Sequence, residues 1–226
     1  MLCGRFTLTV PIEELVEQFL IDEVVDEWAP RFNVAPSQIV LSLISSKGKR
    51  RAGPIQWGLI PFWVKNPGKW KPLINARSES LEEKASFKHL LNKRRTVILA
   101  DSFYEWERKD GKKHPHRFML KNKEPFAFAG LWDRQENEDS SIVSSAILTT
   151  AANDLVRPVH DRMPVILKGE DDINRWLSTG EYSFSEVKHL LEPMPAEEMT
   201  VYKVSDSVNS PRNDFRSCVE PMQNLS

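Results

Sequence analysis

Cysteine is scarce in this chain: 226 residues contain two, Cys3 and Cys218. That excludes a disulfide framework and a cysteine-built zinc site, and a reducing cytosol becomes the expected compartment (nucleoid-associated if the source is bacterial). Long apolar runs are also missing. No stretch approaches the roughly 18–20 residues of a membrane helix, and none at the start has the make-up of a secretory signal, so neither is expected. Glycine is sparse at 9 residues, without the spacing of a phosphate-cradling loop. There are no internal repeats, and no metal or cofactor is expected.

What is present is a soluble composition, 40% hydrophobic and 28% charged, long enough for one large domain or two small ones. Seven Trp and fifteen Pro point to aromatic surfaces and structured loops. The net charge of −1 hides a division. Residues 31–130 carry 21 Lys/Arg against 8 Asp/Glu, whereas residues 1–30 carry 1 against 7 and residues 131–226 carry 9 against 17. A basic middle fits a localised patch facing a polyanion such as nucleic acid. Scattered, solvated charge fits it equally well.

Periodicity sketches the elements. Ile12, Leu15, Val16, Phe19 and Leu20 recur as one face of a helix opened by Pro11. Gln38 to Ser45, the run into Trp57, Thr96 to Ala100, His116 to Leu120, Pro125 to Asp133, Ile142 to Thr150, Val165 to Leu167 and Val201 to Val204 read as strands. Lys47–Arg51 and Lys109–Lys112 read as hairpin turns, the first more a solvated loop than a DNA contact, and Gln135 to Ser141 as a polar loop. Ser80-Leu81-Glu82-Glu83 is a capping-box signature that predicts a helix to about Leu91. Further helices are expected at Ala151–Val156, Asp171–Leu177 and Ser185–Leu191, with a polar, extended tail from Ser205.

Several stretches carry chemistry. In Trp57-Gly58-Leu59-Ile60-Pro61-Phe62-Trp63, followed by Lys65, Lys69 and Trp70, aromatics interleave with lysines as on single-strand-binding surfaces. Trp57 is expected inside, and Trp63 or Trp70 at the surface. Asn75 and Arg77 share one side of an extended backbone, an amide and a guanidinium suited to an oxyanion and a phosphate. Along Phe103-Tyr104-Glu105-Trp106-Glu107, alternation puts Glu105 with Phe103 on one face. A carboxylate among aromatics is a proton-shuttle candidate, but local pattern alone favours an ordinary exposed strand glutamate. His160-Asp161-Arg162 before Met163-Pro164 is either a proton-exchanging site or a hydrogen-bonded turn. Cys3 reads as a small buried residue or, with the preceding residues removed, as a 1,2-aminothiol. In that form the amine (usual pKa about 7.7–8.0) and thiol (about 8.5) sit on adjacent carbons and can close a thiazolidine on an aldehyde.

Cys3-Gly4-Arg5-Phe6, Trp57-Gly58-Leu59-Ile60-Pro61-Phe62-Trp63, Asn75-Ala76-Arg77-Ser78-Glu79, Phe103-Tyr104-Glu105-Trp106 and His160-Asp161-Arg162-Met163-Pro164, in that order, strongly resemble the SRAP family, SOS-response-associated peptidase-like proteins that shield abasic sites. Asn33-Val34-Ala35-Pro36 belongs to the same likeness, which runs from Cys3 to about Leu177. The resemblance implies a single α+β domain over residues 1–226, its core about 3–204 and its tail 205–226. It implies a curved, barrel-like mixed sheet with flanking helices and a positive groove for single-stranded DNA, and a monomer. It also implies a Cys3 freed by autoproteolysis that crosslinks a ring-opened abasic sugar as a thiazolidine. Asn75 would position amine and sugar, Glu105 would move protons, and His160 would assist ring opening and reversal. Arg5, Pro36, Trp63, Trp70, Arg77 and Arg162 would contact DNA or organise the site. The family pattern begins Met-Cys, whereas here Leu2 intervenes. Removal of Met-Leu together, or a Leu2 foreign to the natural chain, is favoured over a Cys3 that stays internal. The residues alone also fit a cysteine amidase or peptidase using Cys3, Glu105 and His160, or a non-catalytic DNA-binding module.

Overall fold

The computed structural model describes residues 4–136 and 141–222. In chain order the main elements are β1 (Phe6–Leu8), α1 (Ile12–Gln18), β2 (Glu23–Val24), β3 (Arg31–Val34), β4 (Ile39–Ser46), β5 (Lys49–Trp57), β6 (Asn75–Arg77) and β7 (Arg95–Ala100). Then follow β8 (Ser102–Lys109), β9 (Lys112–Leu120), β10 (Phe126–Glu136), β11 (Ser141–Ala151), β12 (Arg162–Pro164), β13 (Ile166–Leu167), α2 (Gly169–Leu177), α3 (Phe184–Val187) and β14 (Met199–Lys203).

Strands β11-β10-β7-β4-β5 run antiparallel one to the next, and β5 then pairs in parallel with β11 through Gln56↔Ser144 and Trp57↔Ser145. That last ladder closes a five-strand mixed barrel and removes two sheet edges. A second sheet, β14-β9-β8-β1-β3, is antiparallel throughout. The implied α+β domain with a curved, barrel-like sheet is therefore the observed one. Alternation along the barrel strands feeds two cores. Val97, Leu99, Leu41 and Leu43 face the helices, while Ile98, Val40, Trp57 and Phe128 meet Phe6, Phe103 and Phe118 of the second sheet.

Both hairpin turns have the expected chemistry. Lys47-Gly48 and Asp110-Gly111 adopt positive φ at both positions, as tight hairpins of right-handed twist require. Trp57 is fully buried, its indole N–H donating to the Ile74 carbonyl at 2.9 Å, and Trp63 is 44% exposed.

Four expectations are corrected. Residues 81–93 form isolated turns, not a helix: the N–H groups of Lys84, Lys88 and Arg94 close single turns on the carbonyls of Ser80, Lys84 and Leu90 without a continuous ladder between them. The segment is held from outside by Arg95, whose buried guanidinium donates to the carbonyls of Leu91 (3.3 Å), Trp176 (2.5 Å) and Tyr182 (2.7 Å). Burial lowers the Arg95 pKa to about 10, so the charge persists at neutral pH. Ala151–Val156 is also not helical. β11 runs to Ala151, and Asn153 Oδ1 accepts from the N–H groups of Leu155 and Val156, an Asx turn that competes with helix. Finally, the tail folds into 3-10 turns at Asp206–Asn209 and Arg216–Val219 with Val208 and Cys218 buried, so it is packed and not extended. The expected polar loop at 135–141 is narrower, since β10 reaches Glu136 and β11 starts at Ser141, and positions 137–140 fall outside the described residues.

Gly58 turns the chain out of β5 toward β6, with φ +131° and Pro72 Cβ only 2.8 Å from where a Cβ would stand. Both the backbone region and the close approach demand glycine. Gly58→Ala should lower stability by about 1–3 kcal/mol, read as the shift in a urea unfolding midpoint at unchanged slope.

Candidate active-site cleft

The site grows from the ladder between β1 and β8. Phe6 pairs with Phe103, and the Tyr104 N–H donates to the Arg5 carbonyl at 2.9 Å, so the start of the described chain lies against the middle of β8. Phe6 is held in register by Trp57 and Phe128, with ring centroids 5.2 and 5.7 Å away. Phe103 stacks on Phe118 at 5.2 Å and 13°. Glu105, two residues on, follows the same face, opposite His116 on β9. Glu105 is only 2% exposed, so the ordinary exposed glutamate favoured by local pattern is overturned. Strands β1 and β9 flank β8, and neither neighbour is visible from the sequence around Glu105.

Here a cleft of about 790 Å³ opens, lined by Gly4, Arg5, Glu105, Glu107, Arg108 and Lys113 on one side and the Pro158–Asp161 loop on the other. Glu105 and His160 therefore share one cavity. Cys3, with Met1 and Leu2, lies outside the described residues, but Gly4, the residue after it, lines this cleft. His160 Nδ1 lies 3.0 Å from the Arg162 N–H and 3.3 Å from the Arg162 carbonyl, so the turn can serve either neutral tautomer. The exposed Asp161 carboxylate is 3.1 Å from the same Nδ1 and would pair with it once protonated. Across β8, His116 has its pKa lowered chiefly by burial, opposed by a hydrogen bond to the His114 carbonyl and by Glu107 at 3.9 Å.

Asn75 and Arg77 lie on β6, which pairs in parallel with β11 (Asn75↔Ile147, Arg77↔Thr149); neither lines this cleft, and Arg77 borders a separate pocket with Glu79, Lys84 and Arg162. Asn75 is half-buried and Arg77 is exposed. Arg162 occupies the first position of β12, paired with Ala151 of β11. Its guanidinium is taken by protein, donating to Glu79 (2.5 and 2.9 Å) and to the Thr149 carbonyl (2.6 Å). The Arg162 hydrogen bond holds the Glu79 carboxyl below the usual range.

Arg5 is likewise engaged. It donates to Asn33 Oδ1 at 2.8 Å and the Val208 carbonyl at 2.7 Å, and lies 5.7 Å over the Trp106 ring, with its pKa lowered by burial. Asn33 is fully buried, its amide N–H donating to the carbonyls of Val208, Ser210 and Asn213. Asp214 accepts from the N–H groups of Phe32 and Asn33, and Trp106 Nε1 donates to Asn209 at 2.6 Å. The tail is thus a strap across β3 and β8, anchored where the N-terminal strand begins. The aromatic candidates sit apart from the cleft lining: Trp63 packs edge-on against Trp70 at 5.2 Å, and Pro36 is half-buried in the turn between β3 and β4. Sequence reasoning missed Arg108, Lys113 and Asn209 at the cleft, because strand pairing and the folded tail alone bring them there.

A family model described as SOS response associated peptidase (SRAP) matches residues 2–211. The chain belongs to the SRAP family. Among its SRAP relatives, abasic site processing protein YoqW of Bacillus subtilis (strain 168) is 43% identical over 223 residues, spanning 97% of this chain and 99% of that protein. Abasic site processing protein HMCES of Xenopus tropicalis is 32% identical over 225 residues, covering 86% of this chain and 67% of that one. A crystal structure of a protein from Bacteroides thetaiotaomicron superposes with a TM-score of 0.83 at 25% identity, over 98% of this chain and 100% of that one.

Two outcomes follow for this SRAP chain. Asn33→Ala removes one acceptor and the donor of three tail contacts. It should cost about 2–4 kcal/mol and expose the segment after Ser205 to limited proteolysis. For Glu79, whose ionised form folding favours, the stabilisation is present above the usual carboxylate pKa of about 4.3 and lost as pH falls through its lower folded value. Glu79→Gln should flatten that acid limb in a pH series of unfolding midpoints.

Proposed function

We propose that this protein processes abasic sites in single-stranded DNA by crosslinking to them through Cys3. The observation that carries the reading is the convergence of Gly4, Glu105 and the His160 loop on one cleft. The names of the relatives, from a bacterium and a vertebrate, support it.

In this reading, hydrolysis of the Leu2–Cys3 peptide bond consumes one water and frees the Cys3 amine. The amine adds to the C1′ aldehyde of the ring-opened deoxyribose, and the carbinolamine loses water to give an imine. The Cys3 thiolate then adds to C1′ while the imine nitrogen takes a proton, closing the five-membered ring. Each step moves a proton, and Glu105, enclosed beside the residue following Cys3, is the group to carry it. His160 presents Nε2–H to the sugar oxygen and assists ring opening and its reversal. Asn75 orients amine and sugar by hydrogen bonding. Arg77 is exposed and forms no ion pair among the described residues, which suits a phosphate. The Trp63–Trp70 pair offers an exposed ring for base stacking. Arg5 and Arg162, whose partners lie within the protein, organise the site.

Intact mass followed by incubation with an oligonucleotide carrying one abasic site tests the reading. A chain beginning at Cys3 and a denaturation-resistant adduct are expected. Cys3→Ala should abolish the adduct but keep noncovalent binding, and Glu105→Gln should slow adduct formation by about 10²-fold or more. Arg77→Ala should reduce the salt slope of binding by about 0.7. A sample with Cys3 at its terminus that forms no adduct, or one that retains Leu2 and crosslinks equally well, refutes the mechanism. Turnover of peptides without salt-dependent DNA affinity would favour a cysteine amidase instead.

A further inference from the structure

We propose that Arg108 and Lys113, paired across the β8–β9 hairpin, form an arm that grips the phosphodiester backbone of the strand flanking the lesion. The inference rests on the single-stranded-DNA reading of the cleft and adds a binding element to it.

Register makes the first argument. Arg108 lies directly opposite Lys113, and Lys109 opposite Lys112, so two successive cross-strand pairs set cation against cation. Like charges in that position destabilise a ladder. The β4–β5 hairpin avoids the arrangement, placing Lys49 and Arg50 opposite Ser46 and Ser45. A local cost that a bound polyanion would relieve is therefore built into one hairpin and absent from the other.

Placement makes the second. Arg108 and Lys113 line the same cleft as Glu105 and His160. All four cations are exposed, and none forms an ion pair among the described residues. The acidic neighbours are committed or distant from the pair: Glu107 faces His116 at 3.9 Å, Asp161 lies 3.1 Å from His160 Nδ1, and Asp110 occupies the turn. Glu105 is enclosed. The two-residue turn keeps the ribbon short and stiff, so the Arg108 and Lys113 stems leave adjacent backbones at one level and can straddle a phosphate. Lys109 and Lys112, one pair nearer the turn, are not among the residues that line the cleft, which makes them an internal control.

The experiment compares R108Q/K113Q with K109Q/K112Q in the full chain. Noncovalent affinity for an undamaged single-stranded oligonucleotide is measured across salt concentrations, and adduct yield on the abasic oligonucleotide at saturating DNA. R108Q/K113Q should lower the salt slope by about 1.4, two phosphates at about 0.7 each. It should melt no lower than the parent, since it removes a repulsion. K109Q/K112Q should change the slope by less than half as much. An unchanged slope for R108Q/K113Q, or equal effects of the two pairs, overturns the arm in favour of a diffuse surface field. A parent protein that binds the undamaged strand but never forms the adduct refutes the crosslinking mechanism and leaves the slope comparison to judge the arm. A parent that binds no single strand refutes both.

Discussion

Antiparallel pairing of a three-residue strand, β1, with β8 is the constraint on which this molecule turns. Few hydrogen bonds are involved, and three residues fix a position poorly by themselves. The ladder holds because Phe6 fills a gap between Trp57 and Phe128, and burying one such side chain contributes roughly 1.5–3 kcal/mol. An aromatic core thereby sets the register of a segment whose neighbour is Cys3. The same register carries Glu105 to the rim of that core, since Phe103 and Glu105 share a face. Packing and chemistry are coupled along one strand.

The opposite face of the second sheet does related work with polar groups. Arg117 donates to Ser102 and to the Tyr202 hydroxyl, and Asp101 accepts from Thr7 and Thr9. Burial pushes the Tyr104 phenol well up, so it stays a neutral donor to the carbonyls of Phe32 and Cys218. Arg117 and the Tyr202 hydroxyl also donate to the Val219 carbonyl, and with the Tyr104 bond to Cys218 they fasten the tail to this sheet. Satisfied buried networks specify one arrangement, whereas removing a single partner strands the others at about 1–3 kcal/mol per group. The strap therefore restricts the chain around Arg5 to one geometry, as the proposed chemistry would require.

Legibility in the sequence followed the range of the interactions. Two-residue alternation revealed the strands, the shared face of Phe103 and Glu105, and the interior place of Trp57, because each depends on neighbours along the chain. Asp110-Gly111 and Lys47-Gly48 announced their turns for the same reason. The burial of Glu105 was not legible, since β1 arrives from 99 residues upstream and β9 pairs from the other side. The capping-box signal at Ser80 misled because Arg95, Trp176 and Tyr182 determine how residues 81–93 pack. The tail looked extended because its apolar residues are scattered among polar ones, and what buries Val208 is a cluster with Tyr104 and Tyr202. Order among the site motifs was visible; their convergence needed the barrel to close.

Charge explains how similar arginines come to differ. Arg162 and Arg31 each stand beside a carboxylate, Glu79 and Asp214, and their guanidinium forks are spent holding backbone in place. Arg5 has no carboxylate partner among the described residues and settles on neutral oxygens, which keeps its positive charge uncancelled at the cleft wall. Among the described residues, Arg77 and Arg108 lack even those contacts. A carboxylate close to each would strengthen the fold slightly, since exposed pairs contribute about 0–1 kcal/mol, but would cancel the positive field at that surface. Leaving those two unpaired therefore sacrifices little stability and retains most of that field, which is screened within about 10 Å at 0.1 M salt. The division between fixed and free cations lets one chain hold a rigid cleft and still carry uncancelled positive charge at its surface.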